Sequence, residues 1–118
     1  MLGGKRILIV EDEPLIALDL EATVIDCLGT VVGPVRTLAE AQQFADSSDL
    51  DAAILDLRLA DGLTLPVIER LHARGIPFVI HSGTIEASML AAWPNVQIVS
   101  KPALAEKVVA VLAGLMKK

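Results

Sequence analysis

The chain has 118 residues, 53% hydrophobic and 21% charged, enough for a single core and too short for two domains. Its formal charge of −5 argues against an extended footprint on nucleic acid or on an anionic membrane. The charge is uneven, with twelve acids and four bases in residues 1–61 against three acids and six bases in the rest.

Ile7 to Val10 is a continuous apolar run between Lys5-Arg6 and the acids 11–13, the pattern of a strand covered on both faces. It is too short for a signal-peptide core or a membrane span. Pro14 to Leu28 reads as an amphipathic helix with apolar Leu15, Leu18, Ile25 and Leu28, Pro14 in its first turn and Gly29 as its stop. Cys27, the single cysteine, reads as helix packing; alone it excludes an intrachain disulfide and a thiolate zinc cluster, which fits a reducing cytoplasm. Val31 to Val35 is a second strand whose Gly33-Pro34 suits a sheet edge. Thr37 with Glu40 forms a capping-box signature, and Leu38, Ala41, Phe44 and Ala45 then share a helix face.

Ala52 to Leu55 is a third buried strand that delivers Asp56 at its carboxyl end, ahead of a polar stretch from Arg58 to Gly62. A helix over Leu65 to Arg74 follows, then a strand at Phe78 to Ile80 ending in His81-Ser82-Gly83, and a short helix over Ile85 to Trp93. Val96 to Val99 is the fifth strand, ending in Ser100-Lys101-Pro102. Leu104 to Met116 is the last helix, with apolar Leu104, Val108, Val111, Leu112 and Leu115. Five strands alternating with five helices through short loops give an α/β, doubly wound parallel sheet with helices on both faces.

Ligands of open α/β sheets gather at the carboxyl ends of the strands. Those ends carry Glu11-Asp12-Glu13, Asp56, Ser82-Gly83 and Lys101-Pro102. Carboxylates drawn together there repel one another and need a compensating cation. Magnesium suits Asp12 and Asp56, with Glu11 holding a water, and Lys101 adds a second positive charge. A carboxylate between a metal and an ammonium group is placed to act as a nucleophile toward a phosphoryl group, giving an acyl phosphate. Ser82 stands where it could donate a hydrogen bond to a phosphoryl oxygen. Glu13 reads as a first-turn charge favouring the helix dipole, and His81 as an ordinary strand-end residue.

Glu11-Asp12, Asp56, Ser82-Gly83 and Lys101-Pro102, in this order at these strand ends, resemble the receiver domains of two-component response regulators, over essentially all 118 residues. The resemblance implies a flavodoxin-like sheet of order 2-1-3-4-5 and one receiver domain over residues 1–118, of the single-domain type. It implies Asp56 as phosphoacceptor, Asp12 as a direct Mg2+ ligand, Glu11 as an acid acting through water, and the Arg58 backbone carbonyl as a further ligand. Ser82 would be the switching hydroxyl and Lys101 the partner of the phosphoryl group, with a cis bond to Pro102. Ile98 stands where an aromatic residue usually reads out phosphorylation, and Ala103 where a Phe commonly follows the Lys-Pro pair. Output is therefore expected through backbone shifts around Ser82, Gly83 and Thr84.

The implied partners are a histidine kinase or histidine phosphotransferase and a downstream protein target in the cytoplasm, with no nucleic acid or membrane; a homodimer is left open. The implied protein is not an enzyme beyond its own Mg2+-dependent phosphorylation and dephosphorylation. Two other readings compete. One is a receiver-like adaptor that docks partners without phosphate. The other is an aspartyl phosphatase, which Arg58 disfavours because such enzymes carry an acid two residues after the nucleophile.

Overall fold

The computed structural model describes residues 1–47, 49–83, 88–90 and 93–117. Strands β1 (Arg6–Val10), β2 (Thr30–Val35), β3 (Ala52–Leu55), β6 (Phe78–Ser82) and β7 (Gln97–Ser100) form one sheet in the order β2-β1-β3-β6-β7, parallel throughout. Counting only the strands of this sheet, the order is the expected 2-1-3-4-5. The two extra strands, β4 (Arg58–Leu59) and β5 (Gly62–Leu63), make a small antiparallel hairpin in the stretch read as a polar loop.

Four α-helices lie among the described residues: α1 (Pro14–Asp26), α2 (Leu38–Ser47), α3 (Leu65–Ala73) and α4 (Ala105–Met116), with a 3-10 turn at Ser88–Leu90. The remainder of the helix expected over Ile85 to Trp93, together with Thr84, falls almost wholly outside the described residues. Among the described residues, no helix is long and apolar enough to cross a membrane.

Alternation along the strands explains their continuous apolar runs. Leu8, Val10, Ala53, Leu55 and Ile80 enter one buried cluster with Ala41, Ala45, Val67, Ile68 and Leu71 of α2 and α3. Ile7, Ile9, Ala52, Ile54, Val79 and Val99 enter the other, with Leu20 and Val24 of α1 and Val108, Val109 and Leu112 of α4. In the central strands β1, β3 and β6 nearly every residue faces a helix layer on one side or the other, whereas the edge strands β2 and β7 carry exposed residues as well. Leu2 joins the second cluster: it is buried, its N–H donates to the Cys27 carbonyl at 2.7 Å, and its side chain fills the space against Gly29.

β2 lies at the sheet edge, as its Gly33-Pro34 suggests. The β1–β2 register shifts between Leu8 and Val10, and Gly33 absorbs the irregularity at φ 95°, where an added Cβ would lie 2.7 Å from the Val35 nitrogen.

The helix faces correct two expectations. In α1 the buried residues are Ala17, Leu20, Thr23 and Val24, while Leu15, Leu18, Ile25 and Leu28 are exposed by 81%, 61%, 55% and 68%. The helix is apolar on two stripes, and the stripe with the smaller residues fits closest to the sheet. In α4 the buried residues are Ala105, Val108, Val109, Leu112 and Ala113; Leu104 precedes the helix and is exposed.

Candidate functional site

The carboxyl rim is built by extending the strand pairing one residue past each strand. The Glu11 N–H donates to the Val35 carbonyl at 3.0 Å, the Asp56 N–H to Val10 at 2.9 Å, and the Lys101 N–H to Ser82 at 2.8 Å. These bonds fix three chemistry-bearing residues at the level where the apolar runs stop. Glu11 is 1% exposed and Asp56 5%, so both acids sit where water screens little.

Lys101 is the cation among them. Its Nζ lies 3.0 Å from Asp56 Oδ2 and 3.1 Å from Glu11 Oε1, with Glu13 Oε1 at 3.8 Å. The peptide bond from Lys101 to Pro102 is cis. Carboxylate oxygens of Glu11, Asp12 and Asp56 lie within 4.8 Å of one another. Three hard oxygen donors at that spacing fit a small divalent cation, which takes one or two carboxylates and keeps water in its remaining positions. An open cavity of about 490 Å³ above them is lined by Asp12, Asp56, Arg58, Gly83 and Lys101.

The charges perturb one another. Burial, and then the hydrogen bond and charge of Asp56, raise the Glu11 carboxyl to about 7, against the pull of Lys101 and the Glu13 N–H. Burial pulls the Lys101 ammonium down, but its bond to Asp56 and the charges of Glu11 and Asp56 outweigh that and raise it. His81, 3% exposed, is held below the usual imidazole value by burial and then by the Lys101 charge, with Asp56 acting the other way. Both of its ring nitrogens are buried without a hydrogen-bond partner among the described residues.

Each residue proposed from the sequence lies on this rim. Ser82 ends β6, the neighbour of the strand that carries Asp56; it is fully buried, and its hydroxyl donates to the Gly83 carbonyl at a long 3.4 Å. Arg58 opens β4, and its N–H donates to Asp56 Oδ1 at 3.4 Å. Glu13 precedes α1, is exposed, and makes no side-chain cap.

Two residues escaped sequence reasoning. Thr64, fully buried, donates its hydroxyl to the Asp56 carbonyl at 2.8 Å and lies 3.2 Å from that of Leu57, so it anchors the backbone of Asp56 from behind. A hydroxyl residue just before a helix was the available signal, although this one bonds backward rather than capping α3. Asp61 binds the N-terminus of α2, and nothing local to its own segment announces that contact.

The fold has close counterparts. SdrG from Sphingomonas melonis Fr1 is 38% identical, with TM-score 0.83 and full coverage of both chains. The response regulator PhyR from Brucella abortus is 30% identical, with TM-score 0.81, over 97% of this chain and 48% of that one. The chain belongs to the response regulator receiver domains. A curated relative, the phyllosphere-induced regulator PhyR of Methylorubrum extorquens, is 50% identical over 60 residues, half of this receiver and 22% of that protein. No protein-family model matches the chain. This receiver thus spans about half of the Brucella PhyR chain, and the match to Methylorubrum PhyR covers under a quarter of that protein.

Proposed function

We propose that this chain is a single receiver domain over residues 1–118, working in the cytoplasm, that accepts a phosphoryl group on Asp56 and signals by the resulting change in shape. The observation that carries the reading is the position of Asp56. It is buried, bonded through Oδ2 to Lys101, and clustered with Glu11 and Asp12 in an open cavity. Membership in the receiver family supports the same reading.

A carboxylate oxygen of Asp56 attacks the phosphorus of a phosphohistidine on a kinase or phosphotransferase. The P–N bond breaks with its electron pair left on the ring nitrogen, the imidazole departs neutral because its other nitrogen already carries a proton, and an acyl phosphate remains. Lys101, already at the carboxylate, meets the added negative charge. Asp12, Asp56 and the Arg58 carbonyl would hold Mg2+, with Glu11 through a water; bound there, the metal neutralises charge on the phosphoryl oxygens. Ser82, whose hydroxyl makes one long bond among the described residues, supplies the switching hydrogen bond. The outward stripe of Leu15, Leu18, Ile25 and Leu28 on and just beyond α1 supports a protein as the donor, because such a face suits contact with another helix.

Incubation with acetyl phosphate and Mg2+ is expected to add one phosphoryl mass, and Asp56→Asn to abolish it. Equal labelling of Asp56→Asn overturns the assignment. A chain that neither labels nor takes up Mg2+ is instead the phosphate-independent adaptor.

A further inference from the structure

The β4–β5 hairpin is held at its tip by a carboxylate outside the phosphoryl chemistry. Asp61 Oδ1 accepts the Leu38 N–H at 2.8 Å and Oδ2 accepts the Ala39 N–H at 3.3 Å. An acid from the β3–α3 connection thereby closes the first turn of α2, more than twenty residues away in sequence. These bonds, the one from Leu38 foremost, hold the Asp61 carboxyl below its ordinary value. Thr37 completes the helix end: its hydroxyl oxygen accepts the Glu40 N–H at 3.2 Å and its carbonyl the Ala41 N–H at 3.0 Å. The first three N–H groups of the helix, those of Leu38, Ala39 and Glu40, are thus satisfied from outside the helical ladder, two of them by the hairpin.

The contact is close as well as polar. Gly62 has φ 144°, and an added Cβ there would lie 3.1 Å from Leu38 Cδ2. From this tip the hairpin returns directly to the phosphoacceptor. Arg58 pairs with Leu63 and Leu59 with Gly62, and the Arg58 N–H reaches Asp56 Oδ1. Thr64 secures the hairpin base to the Asp56 and Leu57 carbonyls. With only two residues per strand, the hairpin is a short link between the contact of its tip with α2 and the Arg58 N–H at Asp56.

We propose that Asp61 is a positioning residue: by clamping the hairpin tip to the N-terminus of α2, it holds the Arg58 backbone in register with Asp56 and the metal it binds. The proposal rests on the receiver chemistry above and adds a residue to it. The test is a Mg2+ titration of the full chain followed by NMR, reading the amide resonance of Arg58 before metal is added and the titration midpoint afterwards. Asp61→Ala is expected to shift the metal-free Arg58 resonance and weaken the midpoint about tenfold, the low end for residues that orient metal ligands. Asp61→Asn keeps an acceptor for Leu38 and is expected to weaken it about threefold. Thr37→Ala removes a cap from the same helix end without touching the hairpin, and leaves both readings as in the wild type.

A wild-type midpoint and resonance in Asp61→Ala, or an equal loss in Thr37→Ala, overturns the clamp and leaves the receiver reading standing. Should Asp61→Ala not fold, Asp61→Asn decides: wild-type values overturn the clamp, and intermediate ones support it. A wild-type chain that takes up neither Mg2+ nor phosphoryl overturns the receiver chemistry and the clamp together.

Discussion

At the amino end of the sheet, Arg6 donates from Nε to the Asp49 carbonyl at 2.7 Å and from its backbone to Asp51 Oδ2 at 2.8 Å, all in exposed positions. At the carboxyl end, Lys101 meets Asp56 and Glu11 at similar distances, but both acids are almost without solvent contact. Each end sets one base beside two acids, but at the amino end one partner in each bond is backbone, whereas at the carboxyl end the ammonium meets both carboxylates directly and away from water. Water screens the first group to little more than a surface tie, whereas in the second each charge depends on the others for its tolerance. Direct pairing of charges away from water, rather than the count of acids and bases, sets the two ends apart.

The largest contrast comes from deleting the base at each end. Lys101→Met leaves two buried acids without their cation and is expected to cost about 3–5 kcal/mol near pH 8, read by urea unfolding. Arg6→Met is expected to stay within about 0.5 kcal/mol. Equal losses would mean that burial does not distinguish the two ends.

Next in size is a pH dependence confined to the carboxyl end. The Glu11 carboxyl is raised from 4.5 to about 7, so the folded state holds this proton more tightly than the unfolded chain. Its contribution to stability is therefore full below about pH 4.5 and is lost as pH rises through about 7, by up to ~3 kcal/mol in the metal-free protein. Glu11→Gln should flatten that slope in denaturation midpoints measured between pH 5 and 8. Unchanged curvature in the variant would assign the slope elsewhere.

The smallest effect sharpens the comparison with the opposite sign. His81 buries two ring nitrogens without a partner among the described residues, a cost that an apolar side chain of similar size avoids. His81→Leu is expected to stabilise the fold by about 1 kcal/mol, seen as a higher unfolding midpoint, and a loss of that size would show that the imidazole is satisfied in solution.

Sequence pattern carried the architecture because a strand covered on both faces leaves an unbroken apolar run, and because Asp56, Ser82 and Lys101 each stand where such a run stops. It misjudged α1, where Leu15 and Leu18 mark a stripe as apolar as the one formed by Leu20 and Val24, and composition alone cannot say which faces the sheet. The β4–β5 hairpin was hidden because two-residue strands have no period. Thr64 and Asp61 were missed for a related reason. Their bonds join backbone groups of segments set apart in the chain, and such partners become visible only when the chain has folded.

Leu2 carries a practical consequence. Met1 projects into solvent with 76% exposure, while the next residue fills the core against Gly29. An affinity tag joined through Met1 leaves the packing intact. Trimming the protein to begin at Gly3 would instead open a void beneath the turn after α1, and weakened behaviour of such a shortened protein would reflect lost packing rather than any change at the carboxyl rim.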